Sequence, residues 1–183
     1  MYCLNMLVIA LELASHDAAY EDVATKFFEH FVYIGAAVNR VSEQGQGLWD
    51  EEAGFYFDRL KLPDGSARPM QAFTIAGLIP LLAIAVAEND TLRGFADFAG
   101  RVAWLAKNRP ELLDNRADMR HRGVPQHVRL ALVDSHKLSR ILPQVLDAAQ
   151  MLGPYGLRSV SKRHAAEPFV LQLQGREFTL DYE

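Results

Sequence analysis

The sequence predicts a mainly α chain, made of antiparallel helix pairs and broken by short β-hairpins. Three observations carry that expectation. Apolar residues recur every three or four positions in residues 2–14, 17–38, 91–107 and 130–149, the spacing that lines one face of an α-helix. Between residues 47 and 65, turn-forming Gly, Pro and Asp bracket the β-prone run Phe55-Tyr56-Phe57-Asp58-Arg59-Leu60. Near the end, Phe169–Leu180 reads as two strands about a Gln-Gly turn.

Taken in order, residues 2–14 place Leu4, Leu7, Val8 and Leu11 at helical spacing, with apolar residues on more than one face, as in a buried helix. No capping residue opens it. Asp17 is placed to cap a second helix, in which Tyr20, Val23, Phe27, Phe31, Ile34 and Val38 recur and Glu21, Lys26 and Glu29 face outward. The polar stretch "SEQGQG" (42–47) is a loop by composition. In the hairpin that follows, Gly54 offers the positive φ a tight turn needs, and Pro63-Asp64-Gly65 closes the run. Pro69–Glu88 reads as an apolar helical stretch broken at Pro80. Thr91–Lys107 reads as an amphipathic helix with Asn89-Asp90-Thr91 as its start cap. A charged loop then leads to about Arg129, and Leu130–Ala149 reads as a further helix.

A net charge of −4 and a pI near 5.9 exclude a nucleic-acid surface, which needs clustered excess Lys and Arg. The basic runs at Arg116, Arg120, His121, Arg122 and at Arg158, Lys162, Arg163, His164 are offset by acids elsewhere. Cys3, the single cysteine, cannot form an internal disulfide, so a reducing, cytoplasmic compartment is expected. The apolar opening lacks a basic leader and carries Asn5 and Glu12. It and "AGLIPLLAIAVA" (76–87) fall short of the ~20 apolar residues of a membrane span. The six histidines are scattered without metal-ligand spacing, so neither a metal nor another cofactor is expected.

Trp49, Asp50, Tyr56 and Asp58 carry the chemistry of most interest. A Trp or Tyr face offers a flat apolar platform for the C–H face of a sugar ring, and a neighbouring carboxylate accepts hydrogen bonds from its hydroxyls. Their alternative role is structural, with Trp49 anchoring the hairpin and Asp50 making a turn bond. Arg158, in "PYGLRS" (154–159), has the same two readings: it holds a ligand oxygen or it locks its own loop.

The stretches "LWDEEAGFYFD" (48–58), "LKLPDG" (60–65), "AGLIPLLA" (76–83), "PYGLRSVSKRH" (154–164) and "PFVLQLQGREFTLDYE" (168–183) together resemble the bacterial branch of glycoside hydrolase family 63. That branch includes glucosidases and glycosylglycerate hydrolases and is related to processing α-glucosidase I. The resemblance implies that residues 1–183 form part of an (α/α)6 barrel, truncated at both ends, with the hairpins as rim loops. It implies inverting hydrolysis of α-glucosides or related sugars by a general acid and a general base. The family's acid and base segments match nothing in this chain, so no catalytic residue is assigned and the isolated chain is expected to be inactive. Substrate-pocket or rim character carries over to Trp49, Asp50, Tyr56, Tyr155 and Arg158. The expected partner is a small saccharide or glycoside, with neither nucleic acid nor membrane, and with self-association through helix faces left open by a partial barrel. The alternative is a non-catalytic helical module for carbohydrate binding or protein interaction.

Overall fold

The computed structural model describes residues 1–39, 47–88, 92, 94–113 and 127–182. In chain order the helices are α1 (Tyr2–Ala14), α2 (Ala19–Asn39), α3 (Ala96–Asn108) and α4 (Ser135–Val145), with 3-10 turns at Ile75–Leu82, Pro110–Leu112 and Lys162–Ala165. The strands are β1 (Trp49–Asp50), β2 (Phe55–Tyr56), β3 (Asp58–Lys61), β4 (Ala67–Met70), β5 (Ile84–Glu88), β6 (His127–Ala131), β7 (Leu152–Gly153), β8 (Gly156–Leu157), β9 (Phe169–Leu173) and β10 (Arg176–Leu180). They pair as five two-stranded antiparallel sheets: β1–β2, β3–β4, β5–β6, β7–β8 and β9–β10.

Of the described residues 47% are helical and 24% lie in strands, so the fold is mixed rather than mainly α. Among the described residues there is no (α/α)6 barrel, which corrects the fold expected from the sequence. The error lies in two apolar stretches. Pro69–Glu88 holds the end of β4, a 3-10 turn and β5 in place of a helix, and Leu130–Ala149 begins inside β6. A continuous apolar run does not distinguish a helix from a strand, and the β-branched Ile84 and Val86, alternating with alanine, favour the strand. The start cap at Asn89-Asp90-Thr91, the loop at 42–46 and the basic run from Arg116 to Arg122 lie outside the described residues.

The chain divides into two compact units. The first comprises Met1–Arg40 and Pro80–Ser135. Within it α1 and α2 form a helical hairpin, burying Leu4, Leu7, Leu11 and Ala14 of α1 and Phe28, Phe31, Val32 and Ala36 of α2. Asp17 accepts the Ala19 N–H at 3.0 Å, the cap read from the sequence, and Glu21 and Asp22 lie in the first turn, where the helix dipole favours acids. α3 packs on α2 through an edge-on Phe28–Phe98 contact, with ring centroids 5.5 Å apart, and through the Arg101–Glu29 ion pair. Buried Asn39 at the end of α2 donates to the Leu132 carbonyl at 3.0 Å.

The second unit comprises Val41–Ile79 and His136–Glu183. Its core is aromatic: Phe55, Tyr56 and Phe57 are buried, and the Phe55 and Phe57 rings both contact Phe73. Gly77 is required here, because a β-carbon would collide with the Phe55 ring and the Tyr56 carbonyl oxygen. The turns fall where the sequence places them. Gly54 (φ +64°) and Gly65 (φ +85°) close the first two hairpins, and Gln174-Gly175, both left-handed, closes β9–β10.

Candidate functional site

The site is built around the tip of the β1–β2 hairpin. Asp50 makes the turn: its backbone carbonyl accepts the Gly54 N–H at 2.9 Å and its Oδ1 accepts the Ala53 N–H at 2.9 Å. Its Oδ2 remains for Gln71, whose amide donates to it at 3.0 Å. α4 grips the outer side of this turn. Arg140 donates to the Glu51 carboxylate at 2.9 Å and to the Glu52 carbonyl at 3.0 Å, and Gln144 donates to the Ala53 and Gly54 carbonyls at 3.1 Å. Glu51 also accepts the Trp49 indole N–H at 2.6 Å. That bond, with the nearby His136 and Arg140, holds the Glu51 carboxyl below its ordinary value, against the opposing cost of burial.

A cleft of about 660 Å³ opens on the inner side of the hairpin, within the second unit. This volume lies inside the ~300–1,000 Å³ range of small-molecule sites. Phe57, Phe73 and Phe169 supply apolar wall, while Asp50, Glu52, Gln71, Arg163 and Glu167 supply polar groups. The Arg163 guanidinium lies over the Phe73 ring, 4.1 Å from its centroid. Two backbone bonds, Ser161 N–H to the Phe73 carbonyl and Ile75 N–H to the Ser159 carbonyl, both 2.8 Å, seam the segment after β4 to the turn carrying Arg163. His164 completes the seam, accepting the Phe73 N–H on Nε2 at 2.9 Å while its Nδ1 lies 2.9 Å from the Glu167 carbonyl oxygen.

The five residues expected at a sugar site fall in different places. Asp50 lines the cleft. Trp49 is 8% exposed, its indole edge bound to Glu51, with Tyr56 edge-on at 4.9 Å and Lys137 Nζ 5.7 Å from the ring centroid. Tyr56 is 2% exposed and borders a smaller pocket of about 290 Å³, together with Asp58, Arg59 and Thr74. Tyr155, at the β7–β8 tip, is fully exposed. Arg158 is bound to its own loop: Nη1 donates to the carbonyls of Ala148, Gln150 and Leu152, and Nε donates to the Tyr182 hydroxyl at 3.1 Å. Trp49 is thus tied to Glu51 of its own turn and Arg158 to the carbonyls of its own loop.

Phe73, Arg163 and Glu167 lie outside that set. Each is unremarkable in its local context, and the Phe73–His164 bond joins residues 91 positions apart. The one local signal was the basic run ending in His164, which reads equally as a solvated turn.

The chain is 38% identical, over 193 aligned residues, to an uncharacterized protein of Saccharomyces cerevisiae, YMR196W. The match takes in 99% of this chain and 18% of the yeast protein, so the chain spans less than a fifth of that relative's length. No family model and no solved structure matches. Among the described residues no helix is long and apolar enough to cross a membrane.

Proposed function

We propose that this chain is a saccharide-binding segment of a glycoside hydrolase of the family 63 type, acting on α-glucosides or related sugars. The observation that carries the reading is the cleft, which is lined by three phenylalanines together with Asp50, Glu52, Glu167, Gln71 and Arg163. Aromatic faces cover the C–H surface of a sugar ring, and charged hydrogen-bond partners take its hydroxyls. The general acid and base belong to other segments of a longer polypeptide, so this chain contributes binding without cleavage. The lone Cys3 supports a reducing, cytoplasmic setting.

Calorimetric titration of the 183-residue chain with maltose, trehalose and a glucosylglycerate tests the reading. Binding to at least one is expected, weakened about tenfold or more in Phe73→Ala through the lost aromatic contact. No heat with any of the three at tens of millimolar ends it. Turnover of an aryl α-glucoside by this chain alone contradicts the division of binding from catalysis.

One observation favours an interaction role as a second reading. On α1, Val8, Ile9 and Leu13 stay exposed while Leu4, Leu7 and Leu11 are buried, so the helix is apolar on both sides. Sedimentation across a concentration series tests self-association through this face.

A further inference from the structure

We propose that His164 is the positioning residue of the cleft and makes saccharide binding there sensitive to protonation; the binding half of this rests on the saccharide reading above. A backbone N–H can only donate, so the Phe73 N–H fixes Nε2 of His164 as the acceptor. The ring proton must then sit on Nδ1, where the Glu167 carbonyl oxygen lies 2.9 Å away to receive it. The residue is 4% exposed and lines the cleft, and both its ring nitrogens are committed to backbone partners. One tautomer of the neutral ring fits the site.

A second proton, on Nε2, would set one N–H against another. The Phe73 bond would break, and with it one of the three bonds that tie the two stretches of chain carrying the cleft walls, since Phe73 and Glu167 both line it. Phe73 also carries the stacked Arg163, so a shift there moves an aromatic wall and a hydrogen-bond donor together. The charged groups nearest in the fold are Lys162 and Arg163 on its own turn and Glu167 just after it, with Asp50 and Glu52 among the other residues lining the cleft. The two remaining backbone bonds of the seam, at Ser161 and Ile75, do not depend on the ring. The expected response is therefore local to the cleft.

The test follows the full 183-residue chain by nuclear magnetic resonance from about pH 8 down to about pH 5, above the range in which ordinary carboxylates take up protons. At the upper end, long-range ¹⁵N couplings should show the Nδ1–H tautomer and the Phe73 amide should be strongly protected from exchange. As His164 takes its second proton, that protection should fall, and saccharide affinity should fall with it, by about tenfold for one lost buried hydrogen bond. In His164→Gln the side-chain oxygen can still accept from Phe73 and the NH₂ can still donate to Glu167, without titrating. Phe73 protection and saccharide affinity should then be flat across the range. An Nε2–H tautomer in the native chain, or Phe73 protection that ignores pH, overturns the proposal. Where His164→Gln does not fold, the native tautomer and the Phe73 amide decide alone. A chain that binds no saccharide at any pH removes the saccharide reading, while these two signals still decide the role of His164.

Discussion

The β1–β2 and β7–β8 hairpins invite the same expectation from sequence, since each sets an aromatic beside a charged residue near a tight turn. The structure treats them in opposite ways. At the first, the aromatics Trp49 and Tyr56 are buried and the acid Asp50 is left at the cleft. At the second, Tyr155 stands fully in solvent and Arg158 is consumed by three carbonyls of its own loop. The difference lies in which group satisfies the backbone of each turn. α4 lies along the first turn, and its Arg140 and Gln144 satisfy the backbone there; at the second, Arg158 itself does so. Residue type fixes what a side chain can do. The neighbouring element decides whether it is free to do it.

The largest expected effect tests the anchoring side of this contrast. Trp49→Ala removes a buried indole packed on Tyr56 and bonded to Glu51, and should cost about 3–5 kcal/mol in a urea titration. A cost under about 1 kcal/mol, with saccharide affinity lost, would show Trp49 as a ligand platform rather than an anchor. Gly77→Ala strikes the same hairpin from beneath, where a β-carbon meets the Phe55 ring and the Tyr56 carbonyl. The backbone oxygen cannot move aside as a flexible side chain would, so about 3 kcal/mol is expected. A neutral result would mean that the segment carrying Gly77 shifts freely against β2.

The turn chemistry of the β1–β2 and β3–β4 hairpins was legible because it is local: Asp50 to Ala53, Gly54 and Gly65 each act within a few residues. The α1–α2 hairpin was legible for the same reason, since a periodic apolar face and Asp17 specify it without help from distant chain. β5 was not, because its partner β6 begins 39 positions after β5 ends, beyond a charged stretch that gave no strand signal. The cleft was legible only at Asp50. Phe73, Arg163 and Glu167 become a site through pairings between residues some ninety positions apart, and helical or strand periodicity carries no information at that distance.

The clamp on the first hairpin has an electrostatic part that can be titrated. Glu51 is held below its ordinary value by the Trp49 N–H first, then by His136 and Arg140. A lowered carboxyl contributes stability that is fully present above its unfolded value and lost as pH falls through its folded one. Glu51→Gln should therefore be less stable near neutrality and lose part of the acid-side decline. The side chain is 61% exposed, so the gap should stay under about 1 kcal/mol. A gap that persists unchanged below both values would assign the effect to packing rather than charge.

The smallest effect belongs to the second hairpin. Tyr155 buries nothing, so Tyr155→Ala should leave stability within about 0.5 kcal/mol of the parent. It does not line the cleft, so saccharide affinity should hold as well. The paired variant Arg158→Ala sharpens the point, because it removes a donor from each of the Ala148, Gln150 and Leu152 carbonyls and should cost about 1–3 kcal/mol on the same loop. If Tyr155→Ala weakened saccharide binding at unchanged stability, the β7–β8 tip would be part of the binding surface. Its exposure would then be the functional state of that tyrosine, with Arg158 holding it there.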